Sequence, residues 1–225
     1  HCESALEFFG EAINWRRGIF LGDGNSGLLP NRQLVPVLTW LRQRFPSQLC
    51  DSTGQLRHPL AFEQVSAFVD TFSGPIRTSA KWRQLQQLGL SQLHLGLESG
   101  NPKVLQLLGK PSEGERVVEV VRQIKQAGIA VSVIFMLGVG GQELADQHLQ
   151  DTIRLLQSLP LTVQDRVYLS ELLVHPHSEY QKKADSLGVT PLSRAQCRQQ
   201  ARVIREAVGP GPIVSLYDVR QFVYH

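Results

Sequence analysis

The chain has 225 residues, 42% hydrophobic and 19% charged, which gives enough apolar material for one well-buried domain and excludes a disordered or fibrous chain. A formal charge of +3, with Lys and Arg scattered along the sequence, gives no nucleic-acid footprint, and no apolar run reaches the roughly 18–20 residues of a membrane span. Three dispersed cysteines, Cys2, Cys50 and Cys197, make no disulfide framework, and no signal peptide is visible, so the expected setting is reducing and cytoplasmic.

Glu3 to Trp15 reads as a helix with Leu6, Phe9 and Ile13 on one stripe. A strand follows over Gly18–Gly22 and ends in the turn Asp23-Gly24-Asn25. Residues 31–46 read as a helix with Leu34, Leu38 and Leu41 inward and Pro36 in its first turn, where a missing N–H costs little. Residues 50–60 form a loop of breakers. A strand over Gln64–Phe72 carries Asp70-Thr71 at its end, and a helix capped by Thr78 or Ser79 turns Trp82, Leu85 and Leu88 inward before Gly89 stops it. Phe8, Phe9, Trp15, Trp40 and Trp82, at helical spacing, read as core.

Ser91 to Lys110 is the stretch around which the rest is organised. Leu93, Leu95 and Leu97 alternate as in a strand of a packed sheet, and Glu98-Ser99-Gly100 follows where the strand ends. Asn101-Pro102 then opens a helix with Val104, Leu105, Leu107 and Leu108 at helical spacing. A carboxylate at the end of a buried strand is costly unless something binds it. Glu98 either caps the helix or takes a ligand, and Asn101, itself able to cap, favours the ligand. Lys110 reaches an anionic group or solvates a helix end.

Ser112-Glu113-Gly114-Glu115 has the spacing of a capping box for a helix running to Ala127, with Gly128 as its stop. The apolar run AVSVIFML is a parallel strand covered on both faces, and the turn Gly138-Val139-Gly140-Gly141 follows it. Helices over 142–156, 178–187 and 193–207 and strands over 166–172 and 213–217, with a further one over 222–224, complete the chain. His175 and His177, with no Cys or third His at ligand spacing, make a poor zinc site, so no metal ligand is assigned. Strands alternating with helices about every thirty residues define an α/β fold with a parallel sheet. In barrels of this kind the site lies at the carboxyl edge, where Asp23, Asp70, Glu98, Ser99, the Gly138–Gly141 turn, Glu171 and His175 collect.

Gly96-Leu97-Glu98-Ser99-Gly100 and, one β/α unit later, Gly138-Val139-Gly140-Gly141-Gln142-Glu143 resemble the core motifs of radical S-adenosylmethionine (radical SAM) enzymes. The resemblance runs from about Gly18 to Glu179 and is specific over residues 91–143. It implies a single domain over residues 1–225, a partial TIM-like (β/α) barrel with outer helices, that binds S-adenosylmethionine and works with a four-iron four-sulfur cluster. It implies that Glu98 and Ser99 face the ribose and methionine parts of the cofactor, and that Gly138, Gly140 and Gly141 let the backbone approach adenine. It also places Asp23-Gly24 where the family carries a Gly-Gly-Glu-like turn for the methionine amino group, with Glu171 in the same polar ring. The family's Cys-x3-Cys-x2-Cys signature is not in this sequence, so the first strand and the cluster loop are expected upstream of His1. The implied partners are a small-molecule or unknown substrate and a reductant protein, with neither nucleic acid nor membrane. Two other functions stand beside this one: a cluster-less SAM-binding barrel protein, and an unrelated barrel lyase or isomerase using Asp or Glu as acid and base.

Overall fold

The computed structural model describes residues 2–10, 12, 18–22, 24–45 and 64–217. Ile13, Trp15, Asp23, the 50–60 loop and the 222–224 segment lie outside the described residues. Six strands form one sheet in the order β1-β2-β3-β4-β5-β6: Gly18–Leu21, Gln64–Phe68, Leu90–Glu98, Ala130–Leu137, Arg166–Glu171 and Ile213–Leu216. β1 pairs with β2, β2 with β3, β4 with β5 and β5 with β6, each in parallel. The helices are α1 Cys2–Phe9, α2 Asn31–Arg44, α3 Ser79–Gln87, α4 Pro102–Leu107, α5 Gly114–Gln126, α6 Gly141–Ser158, α7 Glu179–Ser186 and α8 Arg194–Val208. This is the open α/β sheet of a partial barrel.

The chain divides into two compact units, one of His1–Asp70, Arg77–His94 and Gln123–Ala130, the other of Thr71–Ile76, Leu95–Arg122 and Val131–His225. In the first unit Leu34, Leu38 and Leu41 of α2 are buried, as are Trp82 and Leu85 of α3. Arg77 ties the segment after β1 to α3: its guanidinium donates to the Gly27 and Leu29 carbonyls at 2.7 Å each and lies over the Trp82 ring. Three expectations change here. Pro36 is the sixth residue of α2, exposed and past its first turn, so the helix goes without the bond an N–H there would make to the Arg32 carbonyl. Phe8 and Trp40 are exposed rather than core, because Trp40 falls off the Leu34–Leu38–Leu41 stripe and rests edge-to-face on Phe45. Thr78 holds the N-cap position of α3 without a side-chain cap, and the Ser79 N–H donates to Gln123 Oε1 instead.

In the second unit the odd residues of β4, Val131 to Leu137, are fully buried, whereas Ile134 and Met136 are half-buried, so one face is less covered than a continuous apolar run suggests. α5 begins at Gly114, one residue later than a Ser112 cap requires, and the first helical bond runs from the Val117 N–H to the Glu113 carbonyl. A full capping box is present instead at Ser193 and Gln196, at the start of α8.

Candidate functional site

β3 sorts its side chains by parity: Leu93, Leu95 and Leu97 are fully buried, and His94, Gly96 and Glu98 lie on the other face. Glu98 has φ of +61°, and the Ser99 N–H donates to the Leu97 carbonyl at 2.7 Å. A bond spanning three residues around a positive φ is a γ-turn of the rare, strained kind. The strand therefore stops on a residue with a carboxylate where glycine would fit with less strain.

Asn101 is the cap of α4. Its Oδ1 accepts from the Lys103 and Val104 N–H groups at 3.0 and 3.1 Å, with Pro102 at the first helical position. Glu98 is thus free of capping. At the other end of α4 the Lys110 N–H reaches the Leu105 carbonyl and the Gly109 N–H the Gln106 carbonyl, a Schellman ending with Gly109 at φ +69°. That reversal brings Lys110 back to β3. Its Nζ lies 2.6 Å from Glu98 Oε1 and 3.3 Å from the Gly96 carbonyl, with the Phe72 ring 5.7 Å away. The Glu98 side chain is only 14% exposed. Among the described residues nothing hydrogen-bonds its second oxygen, Oε2. A Cβ on Gly96 would lie 2.8 Å from Glu98 Oε1, so glycine there is what lets the carboxylate and lysine meet.

Ser99 is placed differently from Glu98. Its hydroxyl lies 2.8 Å from His148 Nδ1 and accepts the Asn101 N–H at 2.9 Å. It also borders a cavity of about 490 Å³ on the Leu97 side, lined by Phe72, Leu105, Val117 and Leu155. At the end of β4, the Gly138 N–H donates to Gln200 Oε1, and a Cβ on Gly138 would sit 3.0 Å from Cys197 Sγ. A Cβ on Gly140 would sit 2.9 Å from Leu144 Cβ, and one on Gly141 would strike Val189. Packing within the protein accounts for glycine at 140 and 141, and the φ of +78° accounts for it at 138. Glu171 ends β5 exposed, and its charge adds to burial in pushing the Cys197 thiol pKa up. Gly24 lies in the turn after β1 with open space where its Cβ would be. His175 and His177 are exposed in the turn before α7.

Sequence reasoning missed three groups here. For Lys110 the sequence leaves open an anionic group or a helix end and does not show that the anion is Glu98. His148, fully buried on α6, was not seen, although a polar stripe of His148 and Thr152 inside a helix with buried Leu156 is a signal. Asp165, also fully buried, accepts the Val131 N–H at 2.8 Å and the N–H and hydroxyl of Thr162, anchoring the start of β4.

A parallel sheet whose strands alternate with helices, with polar groups at the strands' carboxyl ends, is the architecture of barrel-type proteins. The profile of the radical SAM superfamily matches residues 2–156, more than half of the chain, and the chain belongs to that superfamily. Its fold is similar to that of coproporphyrinogen III oxidase from Escherichia coli, described as a radical SAM enzyme, with a TM-score of 0.59 and 15% identity over 91% of this chain and 46% of that one. It is similar to the archaeal Methanocaldococcus infernus Elp3, with a TM-score of 0.57 and 15% identity over 71% of this chain and 36% of that one. It is also similar to a domain of pyruvate-formate lyase-activating enzyme from Bacteroides vulgatus ATCC 8482, with a TM-score of 0.54 and 16% identity over 89% of this chain and 99% of that domain. The chain spans less than half the length of the first two. No curated protein sequence is similar enough to count as a match.

The superfamily in general uses SAM and a four-iron four-sulfur cluster. Among the described residues no group of three or more His, Cys, Asp or Glu side chains is placed to hold a metal ion, so the described residues do not fit the cluster. Glu98 offers one carboxylate oxygen anchored by Lys110 and one open to accept from an ammonium or a ribose hydroxyl. No described helix is long and apolar enough to cross a membrane.

Proposed function

We propose that this chain is the core of a radical SAM enzyme and that SAM binds at the carboxyl end of β3 against Glu98. In the superfamily, SAM bound beside a reduced cluster would supply one-electron radical chemistry for abstracting hydrogen from a substrate. This chain's own part is to hold SAM and orient it. Glu98 Oε2 accepts from the amino group or the ribose, while Lys110, bonded to Oε1, keeps the carboxylate pointing one way. The Gly138–Gly141 turn and Glu171 belong to the same reading as further contacts at strand ends. Ser99 contributes through position. The substrate is a small molecule of unassigned class, and the electron comes from a reductant protein in the cytoplasm.

The observation that carries this reading is the carboxylate of Glu98 on a strained turn, half-buried, charge-paired and yet open on one oxygen. The test is calorimetric titration of SAM into the full-length protein and its Glu98→Gln variant, with iron and sulfide content measured on anaerobically purified protein. Glu98→Gln keeps the shape and is expected to fold normally and to bind SAM more weakly by ~1.5–3 kcal/mol, the range for a hydrogen bond to a charged group. Equal affinity in the two proteins would remove Glu98 from the site. SAM binding by protein free of iron and sulfide would favour a cluster-less binding protein.

A further inference from the structure

The γ-turn at Glu98 is held from behind by one face of α6. His148, Asp151 and Thr152, spaced to share a helix face, each take hold of one of three consecutive residues. Thr152 Oγ1 accepts the Gly100 N–H at 3.1 Å, and Asp151 Oδ2 accepts from Asn101 Nδ2 at 2.7 Å. His148 meets the Ser99 hydroxyl, and both groups are sealed from solvent.

The direction of each hydrogen bond follows from its partners. His148 Nε2 lies 2.9 Å from the Met136 carbonyl, which can only accept, so Nε2 carries the proton. Burial holds the imidazole neutral, with its pKa lowered to about 4, so Nδ1 is a bare acceptor for the Ser99 O–H. The Ser99 oxygen in turn accepts the Asn101 N–H. Ser99 cannot rotate its hydroxyl without leaving a buried acceptor or donor unpaired. Its backbone N–H is the donor that closes the turn around Glu98. A strained φ persists only when its surroundings over-determine it, and here the determining group is the histidine.

We propose that His148 is a positioning residue of the ligand site: through the Ser99 hydroxyl it keeps the Glu98 turn closed and the carboxylate aimed at its ligand. The ligand part of this inference rests on the reading of Glu98 as a SAM contact. His148 touches neither the carboxylate nor any ligand, and its effect passes entirely through Ser99.

Two substitutions separate positioning from simple packing. In the full-length protein, His148→Asn keeps an oxygen near the place of Nδ1 and loses the Met136 bond. His148→Gln keeps a donor near Nε2 and loses the acceptor for Ser99. Both leave a smaller side chain in a sealed space and are expected to lower the melting temperature. SAM affinity should divide them: His148→Asn stays within about threefold of wild type and His148→Gln loses about tenfold or more, the scale of one charge-assisted hydrogen bond. Ser99→Ala, which removes a single oxygen, should behave like His148→Gln. Amide hydrogen exchange at Ser99 and Gly100 without ligand is the second readout. It should speed in His148→Gln and Ser99→Ala and stay slow in His148→Asn. Equal affinity and equal protection in all three variants would reduce His148 to packing. Should wild type and Glu98→Gln bind SAM alike, the assignment of the ligand fails, and the exchange pattern alone still decides whether His148 holds the turn.

Discussion

The ends of β3 and β4 solve the same geometric problem in opposite ways. Each strand leaves the sheet through positive φ. At β4 this falls on Gly138 and Gly141, at φ +78° and +61°, where the backbone is unstrained and the protein's own side chains fill the space. At β3 it falls on Glu98, where φ +61° is strained and a charged group stands in the turn. A glycine with positive φ needs no more than packing to explain it. A glutamate there, supported by a lysine from beyond one helix and a histidine from another, is not explained by packing.

The comparison breaks most visibly at β4. Gly141→Ala puts a methyl against Val189 and the Thr190 carbonyl in a left-handed conformation, and is expected to destabilise the protein by about 4 kcal/mol, the sum of an αL penalty and overpacking. Chemical denaturation checks this. A loss of only a few tenths would mean that this turn rearranges freely.

Acid should single out β3. The His148 pKa in the folded chain, about 4, lies below its ordinary 6.5, mainly through burial, with the Met136 bond and Asp151 partly offsetting it. The unfolded chain therefore takes the proton first. The stability due to neutral His148 is whole above about pH 6.5, declines as pH falls from there to about 4, and levels off below, a span of about 3 kcal/mol. His94, likewise lowered to about 4 by burial, adds to the same slope. Melting temperatures from pH 7 to 4 should show a shallower slope in His148→Asn than in wild type, and an unchanged slope would contradict the neutral assignment.

The smallest effect sharpens the contrast. Glu98→Gly gives β3 the kind of ending β4 has. It relieves about 1–3 kcal/mol of strain and forfeits a partly exposed ion pair worth up to about 1, so thermal unfolding should show a gain of about 1 kcal/mol while SAM affinity falls. A loss of stability would place the turn's cost elsewhere.

The strands and the parallel sheet were legible because Leu93, Leu95 and Leu97, or Val131 to Leu137, announce themselves by burial pattern within a few residues. The freedom of Glu98 from capping was legible too, since Asn101-Pro102 is a local cap signal. The Glu98–Lys110 pair was not, because it depends on how many turns α4 makes before Gly109 reverses it. His148 lies 49 residues from Ser99, and nothing near either residue points to the other. Local rules see hydrogen bonds within a turn or a helix, and this site is held by bonds that only the packing of α6 on β3 creates. The Ser112 box failed by a single residue, which is the usual resolution of helix starts read from sequence.

The γ-turn at Glu98 also carries a historical consequence. Glutamate and glycine codons are separated by a single base change, and here that change is expected to make the protein more stable. Mutation therefore runs downhill toward glycine at this position, and on the proposal that Glu98 binds SAM it is selection on ligand binding that holds the carboxylate in place. A lineage of this fold that no longer needed its ligand would be expected to lose Glu98 early, while Gly138 and Gly141, which folding itself demands, stayed.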